Sequence, residues 1–327
     1  MNDSIMKRCT LCARACRTDR TKRAGRCGGT DQVLAARAAL HMWEEPCISG
    51  KEGSGTVFFV GCPLGCVFCQ NRSIALGRHT GADGWRILTP AALAGVFLSL
   101  EAKRANNINL VTPTHFVPQI IEAVRIARSE GLSIPVVYNT GSYETPETIR
   151  ALRDTVDIFL PDLKFQDPAV AARYADAPDY FEVAVRAIDE MVAIAGREEA
   201  SFDERGMMTR GVIVRHMILP GHTKDSMRIL RTLHERYGDR IWISILNQYT
   251  PMPGIESVCP ELNRKVTRRE YDRVLDFAIR IGIRNAYMQE GPTASESFIP
   301  SFRGEGLTEG EGGMRNGCLY HSRNRGP

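Results

Sequence analysis

The alternation of short apolar runs with amphipathic segments is the feature that most limits what this chain can fold into. Six runs are typical of buried parallel strands, at residues 56–61, 108–111, 134–138, 158–160, 211–218 and 241–246. Helical patterns lie between these runs and after the last one, at residues 90–105, 116–129, 145–153, 180–195, 224–237 and 267–281. Several of these begin with a capping residue and an early proline, such as Thr89-Pro90 and Thr145-Pro146.

This pattern predicts an α/β protein that forms a partial (β/α)6 TIM-like barrel, with a short seventh strand at residues 286–289. The length of 327 residues suits one such barrel. We expect a cysteine-rich, metal-binding N-terminal extension over residues 1–50, the barrel over 51–300 and a flexible tail over 301–327. The polar insertion at 196–210 would be a mobile lid, a partner-docking loop or merely a tolerated insertion.

Three cysteines lie just beyond the first predicted strand, in the string GCPLGCVFCQN: Cys62, Cys66 and Cys69. The carboxyl ends of barrel strands are where active sites collect. Three thiolates suffice to hold a four-iron cluster and leave one iron open, whereas zinc sites and closed clusters usually take a fourth protein ligand. The alternatives are a fragment of a zinc site, or buried thiols that behave as small hydrophobic groups.

A second cysteine group precedes the barrel, with the spacing C-x2-C-x3-C-x10-C at Cys9, Cys12, Cys16 and Cys27. Four thiolates suit either a structural zinc or an auxiliary four-iron cluster, and the spacing alone does not separate the two. Inert thiols are the third interpretation. The remaining cysteines are Cys47, Cys259 and Cys318; all three are expected to be structural, although Cys47 could lie over the site.

Charge and hydropathy exclude several classes. The net charge is +4, but residues 1–27 carry eight basic against two acidic side chains, so the rest of the chain is close to neutral. A basic arm can touch nucleic acid, yet a solvated metal module is the more frequent explanation, and we expect no nucleic-acid partner. No apolar run is long enough to cross a membrane and the first residues lack a signal-peptide pattern, so we expect a cytoplasmic protein.

The residues quoted above resemble a known family. The cysteine loop is similar to the signature of the radical S-adenosylmethionine (SAM) superfamily. The longer string from Trp43 to Asn71, WEEPCISGKEGSGTVFFVGCPLGCVFCQN, together with PDLKF around Asp162, resembles uncharacterised proteins related to pyruvate formate-lyase activating enzyme. The likeness covers residues 9–302. It implies a [4Fe–4S] cluster held by Cys62, Cys66 and Cys69, whose open iron binds the amino and carboxylate groups of SAM.

Residues at the predicted strand ends are the candidates for contacts with SAM. After the second strand, many relatives carry a Gly-Gly-Glu motif that supports the SAM amino group. This chain has Thr112-Pro113-Thr114-His115 instead, so the two threonine hydroxyls or nearby carbonyls would have to serve. His115 is either a proton donor in the pocket or a residue of the helix start. After the third strand, Asn139-Thr140-Gly141 offers an amide and a hydroxyl, unless it is an ordinary turn.

The later strands supply further candidates. Asp162 and Lys164 resemble the Asp-x-Lys of glycyl-radical activating enzymes; alternation places them on one side of the strand, and the competing interpretation is a structural ion pair. On the fifth strand Arg215 and Met217 share one face and His216 takes the other. Beyond the sixth, Asn247, Gln248 and Tyr249 could cover or hydrogen-bond adenine, or cap the barrel. The full set of cofactor-binding candidates is Phe68, Thr112, Thr114, Asn139, Thr140, Asp162, Lys164, Arg215 and Gln248.

The resemblance implies reductive cleavage of SAM. An electron from flavodoxin or ferredoxin would yield methionine and a 5′-deoxyadenosyl radical, which abstracts hydrogen from a target such as a backbone glycine of a partner enzyme. Two alternatives stand beside this activase-like oxidoreductase. One is a radical SAM enzyme that acts on a small molecule, and the other is a non-catalytic iron–sulfur electron carrier or sensor.

Overall fold

The computed structural model describes residues 3–76, 83–289 and 300–307. Cys318 and most of the predicted tail lie outside the described residues. The strands are β1 (Val33–His41), β2 (Ser54–Phe59), β3 (Arg86–Leu88), β4 (Ile108–Val111), β5 (Val136–Thr140), β6 (Ile158–Pro161), β7 (Ser201–Phe202), β8 (Met208–Met217), β9 (Trp242–Leu246) and β10 (Ala286–Met288).

The α-helices are α1 (Asp3–Lys7), α2 (Pro46–Ser49), α3 (Arg72–Ala75), α4 (Pro90–Ala102), α5 (Val117–Ser129), α6 (Pro146–Arg150), α7 (Pro168–Ala175), α8 (Tyr180–Ala195), α9 (Thr223–Tyr237), α10 (Ile255–Val258) and α11 (Arg268–Arg280). Three short 3₁₀ segments lie at Thr114–Phe116, Gly238–Arg240 and Pro260–Leu262. Side chains cap several helices as the sequence predicts. Thr89 accepts from the Ala92 amide, and Thr145 accepts from the Thr148 amide. Thr267, which was not predicted as a cap, forms a capping box with Glu270.

The sheet follows the order β10-β9-β8-β6-β5-β4-β2-β1-β3. Its seven strands from β10 to β2 are parallel, and the described strands do not close into a ring. This confirms the α/β fold with a partial barrel, and the short seventh strand is present as β10. Parallel strands buried on both faces appear as continuous apolar runs, which is why β4 has the predicted bounds. The helix α8 also has the bounds that its apolar periodicity predicts.

The antiparallel strands β1 and β3 were not predicted. β1 pairs with β2 from Ala35 opposite Phe59 to His41 opposite Ser54. Its sequence, VLAARAALH, is rich in alanine, which favours a helix when the residues are judged locally. Pairing with the otherwise open edge of β2 overrides that preference.

Residues 300–307 lie along β1, in the first part of the segment expected to be a flexible tail. The Ala38 amide donates to Glu305 O at 2.8 Å, and the Gly304 amide donates to Ala36 O at 2.9 Å. The Phe302 ring meets that of Phe58 edge-on, with 5.1 Å between ring centroids. These residues are therefore part of the folded unit.

The polar insertion at 196–210 contains β7, which pairs with β8 as a hairpin. It enters β8 at its amino end, whereas the cysteine loop leaves β2 at its carboxyl end. Since these strands are parallel members of one sheet, the two features lie at opposite edges. The hairpin is therefore not a lid over the cysteines.

The segment after β1 fills the barrel from its amino edge. Cys47 and Ile48, in α2, pack against inward-facing residues of β5, β6 and β8, which include Val137, Ile158 and Ile213. Thus Cys47 belongs to the barrel interior, although the sequence places it with the N-terminal extension. Among the helices of the described residues, none has the length and apolarity needed to cross a bilayer.

Candidate active site

The cysteine loop begins with a sharp turn after β2. Gly61 has a φ of +97°, and a Cβ at this position would collide with the Cys27 carbonyl oxygen. The Cys62 amide donates to that same oxygen at 3.0 Å, and the Cys69 amide donates to Cys66 O at 3.2 Å. Cys62, Cys66 and Cys69 are half-buried at the carboxyl edge of the sheet. The loop is thus held against the N-terminal extension by its backbone.

Burial and nearby charges set the pKa values of the three thiols. Burial raises the pKa of Cys62 and Cys69, and raises that of Cys66 to about 12. The Cys66 and Cys69 charges raise the Cys62 pKa further, whereas the Lys164 ammonium opposes the rise at Cys66. These thiols therefore keep their protons until a metal displaces them.

Asp162, Lys164 and Arg215 form an ion-pair network beside the cysteines. Lys164 Nζ lies 2.6 Å from Asp162 Oδ2, and Arg215 Nε lies 2.9 Å from Asp162 Oδ1. Burial acts to raise the Asp162 pKa, but the Arg215 and Lys164 cations outweigh it and hold that pKa below its usual range. Both the shared side of Asp162 and Lys164 and the inward direction of Arg215 agree with the alternation in the sequence.

Glu44 joins this network from the amino edge of the barrel. It was not identified from the sequence as a site residue. Arg215 Nη1 donates to Glu44 Oε2 at 3.1 Å, and Asn109 Nδ2 donates to Glu44 Oε1 at 3.1 Å. Arg215 Nη2 donates to Asn139 Oδ1 at 2.5 Å. Adjacent Glu44 and Glu45 in an otherwise apolar segment were the available signal, because paired acids there imply buried partners. Asn139 is thereby placed in the barrel interior.

The threonines after β4 and β5 divide into two kinds. Thr114 and Thr140 are buried, and both hydroxyls donate to Glu144 Oε1, over 2.6 Å for Thr114. They therefore support the fully buried Glu144, a second residue missed from the sequence. Thr112 is half-buried at the strand end and adopts a φ of +56°, which is strained for a β-branched residue.

The aromatic residue of the cysteine loop anchors it in the core. Phe68 is buried, and its ring meets those of Phe165, Tyr174 and Tyr249 edge-on at 6.0 to 6.4 Å between centroids. Gln248 lies near the loop, since Gln70 Nε2 donates to its carbonyl oxygen at 3.2 Å. Phe68 thus orients the loop by packing. The Tyr249 hydroxyl donates to Leu262 O at 2.7 Å, so this residue caps the end of the barrel.

The histidines considered from the sequence are structural. His115 is buried and its Nε2 contacts Val60 O at 2.8 Å, while burial lowers its pKa to about 3. His216 points away from Arg215, and its Nδ1 lies 2.8 Å from Leu163 O. Of the two interpretations of His115, the residue of the helix start is the one its contacts support.

The donor set fits the group that the cysteine spacing predicts. Three half-exposed thiols share one turn, with a lysine whose charge acts on Cys66 and Cys69. Within the described ranges, no three Cys, His, Asp or Glu side chains converge closely enough to ligate a single metal ion. A four-iron cluster takes its ligands on different iron atoms, so it accepts thiols that are spread more widely.

The model of the Radical SAM superfamily matches residues 56–255, which run from β2 to the start of α10. The chain belongs to the radical SAM superfamily. Members of this superfamily use a [4Fe–4S] cluster and SAM, and the match covers the cysteine loop and every strand from β2 to β9. Radical SAM membership also assigns this chain to a family of enzymes.

Similar proteins include an uncharacterised protein of Methanocaldococcus jannaschii, 26% identical over 290 residues, which cover 87% of this chain and 78% of that protein. Streptococcus suis SuiB bound to S-adenosylmethionine is 14% identical with a TM-score of 0.45, over 70% of this chain and 48% of SuiB. This radical SAM chain thus spans about half the length of SuiB. A domain of pyruvate-formate lyase-activating enzyme from Bacteroides vulgatus is 14% identical with a TM-score of 0.37, over 54% of this chain and 91% of that domain.

Proposed function

We propose that Cys62, Cys66 and Cys69 hold the [4Fe–4S] cluster of a radical SAM enzyme. The observation that carries this proposal is the position of the three thiols on one turn at the carboxyl edge of the barrel. When bound, the cluster and SAM supply a one-electron cleavage of the sulfonium that yields methionine and a 5′-deoxyadenosyl radical for hydrogen abstraction.

The chain's own residues bind and orient SAM in this proposal. Lys164, which is near Cys66 and Cys69, attracts the SAM carboxylate, and Asp162 holds the lysine in place. The half-buried Thr112 hydroxyl accepts from the SAM ammonium, where relatives use a glycine-rich motif. Arg215 and Asn139, joined by a hydrogen bond, form a polar floor inside the barrel.

The test is formation of 5′-deoxyadenosine. The full chain is reconstituted anaerobically with iron and sulfide, reduced with dithionite and supplied with SAM, and the nucleoside is measured by chromatography. We expect product from the natural protein and none from Cys66→Ala. Cys259→Ala is the matched control, since this buried cysteine ends α10 and belongs to neither cysteine group. Product from Cys66→Ala would refute the assignment.

We propose further that the target is a partner protein, as for a glycyl-radical activating enzyme. The Asp162–Lys164 pair that resembles that family is formed, with 2.6 Å between Nζ and Oδ2. The described strands leave the barrel open, which suits an extended peptide better than a closed pocket would. Flavodoxin or ferredoxin is the proposed donor, and a reducing compartment such as the cytoplasm would preserve the nine free thiols of the described residues.

Size-fractionated lysate distinguishes a protein target from a metabolite. Retained and filtered fractions from cells that make this chain are added separately to the reconstituted enzyme. We expect the macromolecular fraction to stimulate 5′-deoxyadenosine formation, and protease treatment to abolish that stimulation. Stimulation by the small-molecule fraction alone would instead favour the radical SAM alternative with a small-molecule substrate.

A further inference from the structure

The four N-terminal cysteines lie in one loop that precedes β1. Cys9, Cys12 and Cys27 are buried, and Cys16 is exposed. A Cβ placed on Gly25 would lie 3.6 Å from Cys27 Sγ and 3.7 Å from Cys16 Sγ, so these two sulfurs approach the same point. Backbone bonds hold the loop, with the Cys9 amide donating to Thr18 O at 3.1 Å and the Arg17 amide donating to Cys9 O at 2.9 Å.

A buried cation without a carboxylate lies within this loop. Arg20 is completely buried; it donates to the carbonyl oxygens of Gly29, Thr30 and His115, its Nη1 lies 3.9 Å from Cys9 Sγ, and it stacks on the Phe116 ring. Among the described residues, no Asp or Glu forms an ion pair with it. Burying an unpaired charge is expensive. Four thiolates around a metal centre would supply the negative charge that the guanidinium otherwise lacks.

The position of the loop distinguishes an electron carrier from a structural zinc. The carbonyl oxygen of Cys27 accepts from the amide of Cys62 at 3.0 Å. One hydrogen bond therefore joins the last cysteine of the N-terminal group to the first cysteine of the SAM group. With a redox-inert zinc this contact would only hold the loop in place, whereas two clusters so joined would also have a short path for an electron. Four thiolates suit a closed four-iron cluster as well as a zinc, so it is this contact with the SAM group that favours the cluster.

The surface beside Cys16 suits a negatively charged partner. Arg17 and Arg23 are exposed, and within the part of the chain that the structure describes neither forms an ion pair. Residues 1–27 have a net charge of +6. Because Cys16 is the exposed member of the group, this surface is where an acidic one-electron carrier protein would bring its redox group nearest.

We propose that Cys9, Cys12, Cys16 and Cys27 hold a second iron–sulfur cluster that accepts electrons from an acidic carrier protein and passes them to the SAM cluster across the Cys27–Cys62 contact. Each transfer oxidises the reduced carrier by one electron and reduces the second cluster, which then reduces the first. No bond of the chain forms or breaks. The relay rests on the proposed function, whereas the existence of the second cluster does not.

Metal content tests the cluster independently of SAM cleavage. Iron and zinc are counted in the anaerobically reconstituted full chain, and electron paramagnetic resonance is recorded after reduction. We expect about eight irons per chain and no zinc in the natural protein, and about four irons in Cys66→Ala with a signal that SAM does not change. One equivalent of zinc beside about four irons would overturn the second cluster, as would an iron-free Cys66→Ala that retains its circular dichroism.

The relay is tested by comparing two reductants. For each variant, the rate of 5′-deoxyadenosine formation with reduced flavodoxin is divided by the rate with dithionite. We expect this ratio to fall about tenfold or more in Cys12→Ala and in Cys16→Ala, with Cys259→Ala as the matched control. Cys16 is exposed, so that variant tests the relay even where loss of buried Cys12 disturbs folding. An unchanged ratio in both variants would overturn the relay.

Charge reversal tests the docking surface. Arg17→Glu with Arg23→Glu should raise the KM for flavodoxin and leave the dithionite rate as it was. Reversal of Arg269 and Arg273, on the exposed face of α11, is the control with the same change in net charge. An equal effect of both double variants would show that only the overall charge matters and would overturn the docking site. Absence of SAM cleavage in every protein, with about eight irons present, would reject the proposed function and leave the second cluster standing.

Discussion

Arg215 of β8 contacts Asp162 just beyond β6, with 2.9 Å between Nε and Oδ1, and this pair joins the floor of the barrel to the cysteine edge. On one side Arg215 continues to Glu44, and on the other Asp162 continues to Lys164. The four side chains form a line of alternating charge from the amino edge of the barrel to its cysteines. Each cation is therefore held in position by an anion of the same chain.

Replacing Asp162 removes the central anion of this line. Asp162→Asn leaves Lys164 unpaired while Arg215 keeps Glu44, so we expect a loss of about 1–3 kcal/mol in the free energy of unfolding. The Asp162 and Lys164 side chains are 20% and 22% exposed, which places the cost below that of a fully buried pair. Urea denaturation measures it. The double variant Asp162→Asn with Lys164→Met should recover part of the loss, and simple additivity would contradict the pairing.

Gly61→Ala should separate the cysteine loop from the N-terminal extension. The substitution combines a positive φ with a collision against the Cys27 carbonyl oxygen, and we expect a loss of about 2 kcal/mol or more. Gly131→Ala is the matched control, because Gly131 has a φ of +110° and open space around its Cα. Equal losses in thermal denaturation of the two variants would show that strain alone, without the collision, sets the cost.

Thr112→Gly should improve stability and impair SAM binding. Relief of a φ of +56° gains about 1 kcal/mol after the added chain entropy of glycine, whereas loss of the hydroxyl removes the proposed acceptor for the SAM ammonium. Arg104→Gly, at an exposed turn with a φ of +66°, should gain stability without changing SAM affinity. Calorimetric titration with SAM would detect the difference, and unchanged affinity in Thr112→Gly would remove this residue from the site.

His115 should make the fold sensitive to acid. Its pKa is about 3 in the folded chain and 6.5 when unperturbed, so the unfolded state binds the proton first. The free energy of unfolding therefore falls as the pH drops from about 6.5 towards 3, by at most about 1.4 kcal/mol per pH unit. His115→Gln keeps a donor for Val60 O and does not titrate. As the pH is lowered from about 6.5 towards 3, the free energy of unfolding of this variant should therefore rise relative to that of the natural protein. A difference that does not change with pH would contradict the assignment.

Local patterns were sufficient for the parallel strands and for the cysteine loop. β4 and β6 are buried on both faces, and such strands appear in the sequence as unbroken apolar runs. The alternation along an extended strand placed Asp162 and Lys164 together before any contact was known. Three of the proposed metal ligands lie within eight residues, so their convergence needed no knowledge of the fold.

Residues that depend on distant partners could not be found in the same way. Glu44 meets Arg215 across 171 positions of sequence, and although the adjacent acids Glu44 and Glu45 indicate a buried partner, they do not identify it as Arg215. β1 is a strand because β2 offers it an open edge, and its own alanines favour a helix. Thr114 and Thr140 were expected at the cofactor, but Glu144 takes both hydroxyls. In each case a tertiary contact outweighs the local preference.

The pairing of β1 with residues 300–307 has a consequence for the order of folding. Ala36 and Ala38 bond to Gly304 and Glu305, which are made more than 260 residues later, so this contact closes a very long loop. Loop closure of that length is slow relative to the local pairing of β1 with β2. During synthesis the strand therefore joins its sheet early and waits with its second row of backbone groups open to water until the rest of the barrel has emerged from the ribosome.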